Sequence, residues 1–201
     1  SIVVTSPQVD EVNQIFERAC RKNDAKLIRV GRDITWKYLG FEANQQSLRV
    51  KGRLASYDLT IPLFGRYQLD NAAAAVAALE VLVERGFHIS KQSITRGLAK
   101  VNWPGRLQVL RRRPLLVVDG SHNTESAGKL RQALKEYFEF DRAILIIGVS
   151  ADKDLAGIIS ELAPVFSKVI ATHSIHPRAM PTASVAAELQ RQGVECLTTE
   201  D

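Results

Sequence analysis

Leu115-Leu-Val-Val-Asp119-Gly-Ser-His122-Asn123 decides the reading of this chain, together with Trp103-Pro-Gly-Arg106 just upstream. Four apolar residues form a short strand that runs out into a polar turn, and a helix-compatible segment follows at once. Open α/β sheets bind ligands at such strand ends, where helix N-terminal amides and a carboxylate converge. Asp119 can hydrogen-bond a ribose or orient a reacting group there. It can equally serve the turn or cap the next helix. His122 and Asn123 add donors and acceptors, though His122 alone also fits a partly exposed loop histidine.

Outward from that stretch the same grammar repeats. Strands are expected at residues 107–110, 115–118, 143–147, 168–171 and 194–197, separated by helices near residues 127–138, 155–166 and 183–190. Repeated β-α-β units of this kind fit a Rossmann-like domain over residues 107–201. Pro104 and Gly105 interrupt the preceding helical pattern, so residues 102–106 read as a hinge. Before the hinge, residues 1–101 open as strand, helix, strand, with apolar Val9, Val12, Ile15, Phe16 and Ala19 at helical spacing. Residues 31–46 are indecisive, and residues 47–50 and 57–61 suggest paired strands. Residues 72–83 are apolar apart from Glu80, which predicts a helix buried between layers, ended by Gly86. Ser90 is placed to cap a shorter helix.

Composition narrows the chemistry without choosing it. The chain has 201 residues, an apolar fraction of 45% and a formal charge of +5, a mild basicity that suits anionic ligands without marking a nucleic-acid surface. Cys20 and Cys196 have no metal-ligand spacing and read as reduced, structural thiols. No run of eighteen apolar residues and no signal-peptide pattern occurs, so neither membrane insertion nor secretion is expected. The sequence contains no Gly-x-x-x-x-Gly-Lys-Ser/Thr phosphate loop and no Gly-x-Gly-x-x-Gly fingerprint. Ser121 beside His122 lacks a nucleophile-elbow context, and His173 and His176 bracket a turn without a zinc-ligand set.

Three further places can carry function. Arg106 can clamp phosphate oxygens bidentately, or be one more solvated arginine, as the Arg111-Arg-Arg113 run is expected to be. Asn71 can read an adenine edge, or cap the alanine-rich helix. Gly148-Val-Ser150-Ala-Asp152-Lys153-Asp154 ends another apolar strand and can approach a substrate, or form a solvent-exposed turn in which the aspartates flank Lys153.

Taken together, Gly65-Arg-Tyr-Gln68-Leu-Asp-Asn71, Trp103-Pro-Gly-Arg106, Asp119-Gly-Ser-His-Asn123 and Ala151-Asp-Lys-Asp154 resemble folylpolyglutamate and dihydrofolate synthases of the Mur ligase superfamily. The resemblance covers essentially the whole chain and implies an α/β fold: part of the central ATPase-type domain, then the Rossmann-like C-terminal domain. It places Asn71 on the adenine side and Arg106 by the ATP phosphates. Asp119 and His122 would approach the nucleotide across the interdomain cleft, with Arg106 and His122 as the catalytic pair. Ser150, Asp152 and Lys153 would lie on the side of the incoming amino acid. Tyr67 stands where the family usually has histidine, and Ser121 where alanine is frequent.

The implied reaction uses ATP and Mg²⁺ to convert a folate or dihydropteroate carboxylate to an acyl phosphate, which the amine of L-glutamate attacks. The phosphate loop and metal ligands are expected upstream of residue 1, so the isolated chain is expected to be inactive. The implied setting is cytoplasmic, without membrane or nucleic-acid partners. A nucleotide-binding regulatory module and another Mur-type peptide ligase are the competing readings.

Overall fold

The computed structural model describes residues 1–42 and 44–199, and its contacts divide the chain into two units, Ser1–Leu110 and Arg111–Asp201. The division falls inside β6 (Gln108–Arg112), a few residues beyond the Pro104-Gly105 punctuation.

The first unit begins with β1 (Ile2–Thr5), α1 (Asp10–Lys22) and β2 (Lys26–Arg29), and β1 pairs parallel to β2 with Ile2 opposite Lys26. Asp10 and Glu11 open α1 while Arg21 and Lys22 close it, each charge matched to the nearer end of the helix dipole. Three antiparallel strands follow in the order β3 (Thr35–Glu42), β4 (Gln45–Lys51) and β5 (Ser56–Ile61). Burial alternates along β4 and β5, with Gln46, Leu48 and Val50 inward on one and Tyr57, Leu59 and Ile61 on the other. That period of two turns one face of the sheet to the core. β3 is the strand the sequence left undecided. Trp36 and Tyr38 are only half-buried, Leu39 is exposed, and the pairing shifts between Tyr38 and Gly40, which together blur the alternation.

α2 (Tyr67–Glu84) packs one stripe inward: Leu69, Ala72, Ala73, Val76, Ala77, Glu80 and Val81. The expectation of a helix buried all round is therefore corrected. Ala78 and Leu82 are exposed, and an outward alanine exposes little apolar area while keeping strong helix propensity. Gly86 follows the helix at φ +91°, the left-handed conformation that ends helices. α3 (Lys91–Ala99) begins at Ser90, whose hydroxyl accepts from the Ser93 amide at 3.0 Å.

Glu80 is the polar exception inside the apolar stripe, and it is fully buried. Its carboxylate accepts from the amides of Arg53 (2.7 Å), Leu54 (3.0 Å) and Ala55 (3.2 Å) and from the Tyr57 hydroxyl (3.0 Å). One side chain thus satisfies a whole turn between β4 and β5. The Arg53 guanidinium meanwhile grips Glu84 with two bonds of 3.0 and 2.5 Å. Gly52 completes the arrangement, because a Cβ there would lie 2.2 Å from Glu80 Oε1.

Burial, and then the Glu80 hydrogen bond, push the Tyr57 phenol from 10.0 up to about 12. A raised folded-state value adds stability below pH 10 that fades as pH rises toward 12. Stability measured across that window is expected to fall in the wild type more steeply than in Tyr57→Phe. Equal slopes would show that the phenol does not contribute.

The second unit contains β7 (Leu115–Val118), α4 (Thr124–Tyr137), β8 (Ile144–Ile147), α5 (Leu155–Leu162) with a short 3₁₀ turn behind it, β9 (Lys168–Ala171), α6 (Thr182–Arg191) and β10 (Cys196–Thr198). Its parallel sheet runs β10-β9-β8, with Ile144 opposite Lys168 and Cys196 opposite Val169. β7 stands outside that sheet. Leu155, Ile158, Ile159 and Leu162 recur at helical spacing and join Val169, Ala171, Val185 and Leu189 in the core. All three parallel strands run the same way, so the loops after β8 and β9 emerge at one end of the sheet.

Candidate functional site

The loop after β7 is built from its own hydrogen bonds. Asp119 Oδ1 accepts from the Ser121 amide at 2.8 Å and from the Ser121 hydroxyl, so this carboxylate does hold the turn. Asn123 then caps α4: its Oδ1 accepts from the Ser126 amide at 2.8 Å, and Ser126 Oγ accepts in return from the Asn123 amide at 3.1 Å. The same Ser126 oxygen lies 3.1 Å from the His122 amide. The reciprocal cap ends the chain's freedom directly after His122. The exposed His122 ring places Nδ1 3.0 Å from the Gly120 carbonyl. In the neutral ring this contact puts the proton on Nδ1 and leaves Nε2 as the acceptor.

The loop after β8 is held from two sides. The Ala151 amide donates to the Arg178 carbonyl and the Met180 amide to the Val149 carbonyl, both at 2.8 Å, and Ser150 bridges Ala179. The loop after β9 is thereby laddered onto it. Asp152 and Lys153 form an ion pair of 2.7 Å, and that bond holds the Asp152 carboxyl below its usual range, helped by the nearby Arg178 charge. Asp154 takes no part in that pair. It caps α5, accepting the Gly157 amide at 3.0 Å, and it accepts the Thr124 hydroxyl at 2.8 Å through its other oxygen. The Gly157 amide, and then the Thr124 hydroxyl, lower the Asp154 carboxyl from its ordinary value.

The picture of two aspartates flanking Lys153 in an open turn is corrected on this point: Asp154 belongs to the helix start. His173 Nδ1 lies 2.9 Å from Thr182 Oγ1, and His176 Nδ1 accepts the Arg178 amide at 3.1 Å, so both rings have local partners. Among the described residues no group of three or more His, Cys, Asp or Glu side chains is gathered to hold a metal ion. Among the described residues, no helix is long and apolar enough to cross a membrane.

In the first unit, Gly65-Arg-Tyr-Gln68-Leu-Asp-Asn71 forms the junction of β5 with α2. The buried Gln46 amide donates to the carbonyls of Leu63 (2.6 Å) and Gly65 (3.0 Å), which fixes the turn from beneath. Gly65 is irreplaceable on two counts: φ is +96°, and a Cβ would meet the Tyr67 ring at 2.4 Å. Arg66 lies 3.5 Å over the Tyr38 ring, and Trp36 Nε1 donates to Asp70 at 2.7 Å. Asn71 is exposed and sits past the first turn of the helix, and its amide donates to Gln68 Oε1 at 2.9 Å. The helix-cap reading of Asn71 is overturned, since α2 starts after Arg66. Arg106 is exposed beside Gly105 at φ +73°, whose amide donates to Gln108 Oε1 at 2.9 Å. The next residue, Leu107, is fully buried at φ +43°, a conformation that costs a leucine energy and holds the turn in one shape.

Sequence reasoning missed Thr124 and Ser126. The signal for Ser126 was present as Asn-x-x-Ser at a helix start. Nothing local announced Thr124, whose partner lies thirty residues on.

Residues 105–201 match the Mur ligase glutamate ligase domain. The chain is 30% identical over 189 residues to the dihydrofolate synthase/folylpolyglutamate synthase of Mycobacterium tuberculosis, covering 92% of this chain and 39% of that protein. It is 37% identical over 138 residues to the folylpolyglutamate synthase of Lacticaseibacillus casei, covering 68% of this chain and 32% of that one. The crystal structure of the Mycobacterium tuberculosis folylpolyglutamate synthase complexed with ADP and AMPPCP superposes with a TM-score of 0.92 at 30% identity, over 99% of this chain and 45% of that chain. The chain thus spans less than half the length of these relatives.

Proposed function

We propose, from the premise that this chain belongs to the folylpolyglutamate and dihydrofolate synthase family of Mur ligases, that it forms part of an ATP-dependent ligase joining L-glutamate to a folate carboxylate. The observation that carries this reading is the match of residues 105–201 to a glutamate ligase domain, which contains Arg106, the Asp119–His122 turn and the segment 150–153.

A carboxylate resists attack by an amine because it carries negative charge and has no leaving group. Transfer of the ATP γ-phosphoryl group to one carboxylate oxygen releases ADP and supplies that leaving group. The glutamate nitrogen then bonds to the acyl carbon, the C–O bond to phosphate breaks, and the amine loses a proton. Mg²⁺ would offset phosphate charge in this scheme. In this chain Asn71 reads the adenine edge, and Arg106 offers a planar fork to phosphate oxygens. His122 presents its ring to the same nucleotide, and Asp119 fixes the turn that carries it. Ser150, Asp152 and Lys153 face the incoming glutamate, whose ammonium and carboxylates match the opposed charges of the Asp152–Lys153 pair. Residues 1–101 and 107–201 act as separate domains about the segment 102–106, in a cytoplasmic enzyme of folate metabolism.

Dihydropteroate is the second acceptor to consider, because the Mycobacterium tuberculosis relative is both a dihydrofolate and a folylpolyglutamate synthase by name. The deciding experiment measures ADP release by the natural full-length protein with ATP, Mg²⁺ and glutamate, offering folate or dihydropteroate and identifying the product by mass spectrometry. Glutamyl addition to either acceptor is expected, and the 201-residue chain alone is expected to give none. A folded full-length protein that adds glutamate to neither would sink the assignment.

A further inference from the structure

Two loops of the second unit carry the groups assigned to opposite ends of the reaction, and each is stiffened by its own helix cap. Asn123 and Ser126 close the first, and Asp154 with Gly157 closes the second. A side-chain bond ties one cap to the other, Thr124 Oγ1 to Asp154 Oδ2 at 2.8 Å, and farther along the same two helices Arg131 pairs with Glu161 at 2.8 Å. Gly157 shows how closely the three positions interlock: a Cβ there would lie 2.0 Å from Thr124 Oγ1 and 2.3 Å from Asp154 Oδ2. Both oxygens of Asp154 are therefore used, one for its own helix and one for its neighbour.

We propose that Thr124 is a positioning residue, whose hydroxyl on Asp154 couples the turn of Asp119 and His122 to the loop of Ser150, Asp152 and Lys153. The inference rests on the ligase reading above, because it assigns those loops to the nucleotide and to glutamate. As a positioning residue, Thr124 acts through Asp154. It sets the spacing at which the amine meets the activated carboxyl, a distance to which amide formation is acutely sensitive. The ladder from residues 149–151 to residues 178–180 extends the coupling to the loop after β9, so a slip at Thr124 shifts both loops together.

The test compares Thr124→Val, which keeps the shape and removes the donor, with Thr124→Ser, which keeps the donor. In the full-length ligase, Thr124→Val is expected to raise the KM for glutamate on the order of tenfold with the KM for ATP unchanged, and Thr124→Ser to restore it. In the 201-residue chain, amide hydrogen exchange at residues 150–153 is expected to quicken in Thr124→Val and not in Thr124→Ser. An unchanged glutamate KM in Thr124→Val overturns the proposal, whatever the exchange shows. Failure of the wild-type protein to ligate glutamate would defeat the functional reading instead. The exchange comparison then decides the coupling alone, and unaltered exchange at residues 150–153 would overturn it.

Discussion

Replacing Glu80 with alanine is expected to destabilise the first unit by about 4 kcal/mol, the largest effect of any single substitution considered for this chain. The carboxylate is fully buried and accepts four hydrogen bonds, three of them from consecutive main-chain amides. Alanine leaves all four donors without this acceptor, the Tyr57 hydroxyl in the buried interior and the three amides in a partly buried turn. Each unmet buried donor costs about 1–3 kcal/mol, and water entering the vacated space recovers part of that. Glutamine is a sharper probe than alanine, since its shape is nearly the same. Its amide nitrogen would point a donor at donors, so Glu80→Gln is expected to lose more than half as much. For a unit of this size a thermal midpoint lowered by roughly 15 °C in Glu80→Ala should be seen by circular dichroism. A drop of only a degree or two would mean that the turn after β4 finds other acceptors.

On the proposed ligase reading, Arg106→Ala in the full-length protein is expected to lower kcat by about 10²–10³-fold and to leave stability untouched. The guanidinium is exposed, so its removal opens no cavity. Its proposed work is to meet charge that grows on phosphate oxygens as the γ-phosphoryl group moves, and that work exists only during turnover. Arg106→Lys keeps the charge but loses the planar fork, so it should recover only a small part of the rate. Parallel loss in the two variants would identify geometry as the contribution. Full recovery by lysine would reduce the role to simple charge. A wild-type rate in Arg106→Ala would remove this residue from the mechanism.

The regular elements were legible wherever apolar periodicity was strong. α1, α2 and α5 carry clear helical spacing, and β5 and β9 are short β-rich runs bounded by polar residues. β3 was not, because its inward aromatics are half-exposed and its pairing slips beside Gly40. The outward face of α2 was misjudged for a related reason: composition alone does not say which alanines point to solvent. For the candidate site, the loops could be located, since Gly, Asp, Ser and Asn follow apolar strands at residues 119–123 and 148–154. What each side chain bonds could not. Asp154 looked like a partner of Lys153 by adjacency, yet its bonds go to Gly157 and Thr124. Local sequence records caps; it does not record a contact made across thirty residues. Glu80 was visible as an anomaly, but its four donors come from a turn and the start of β5, far upstream.

That buried carboxylate also sets the phase of the helix that bears it. Asn71 precedes Glu80 by nine residues, which at roughly 3.6 residues per turn is about two and a half turns. The two side chains must then point to opposite sides of the cylinder, and they do, one sealed inside and the other in water. A rotation of α2 about its axis would bring Asn71 toward the sheet only by tearing Glu80 from all four donors at once. Glu80 works as a key in a keyway, and the aim of Asn71 is cut into the core some 13 Å away along the helix axis.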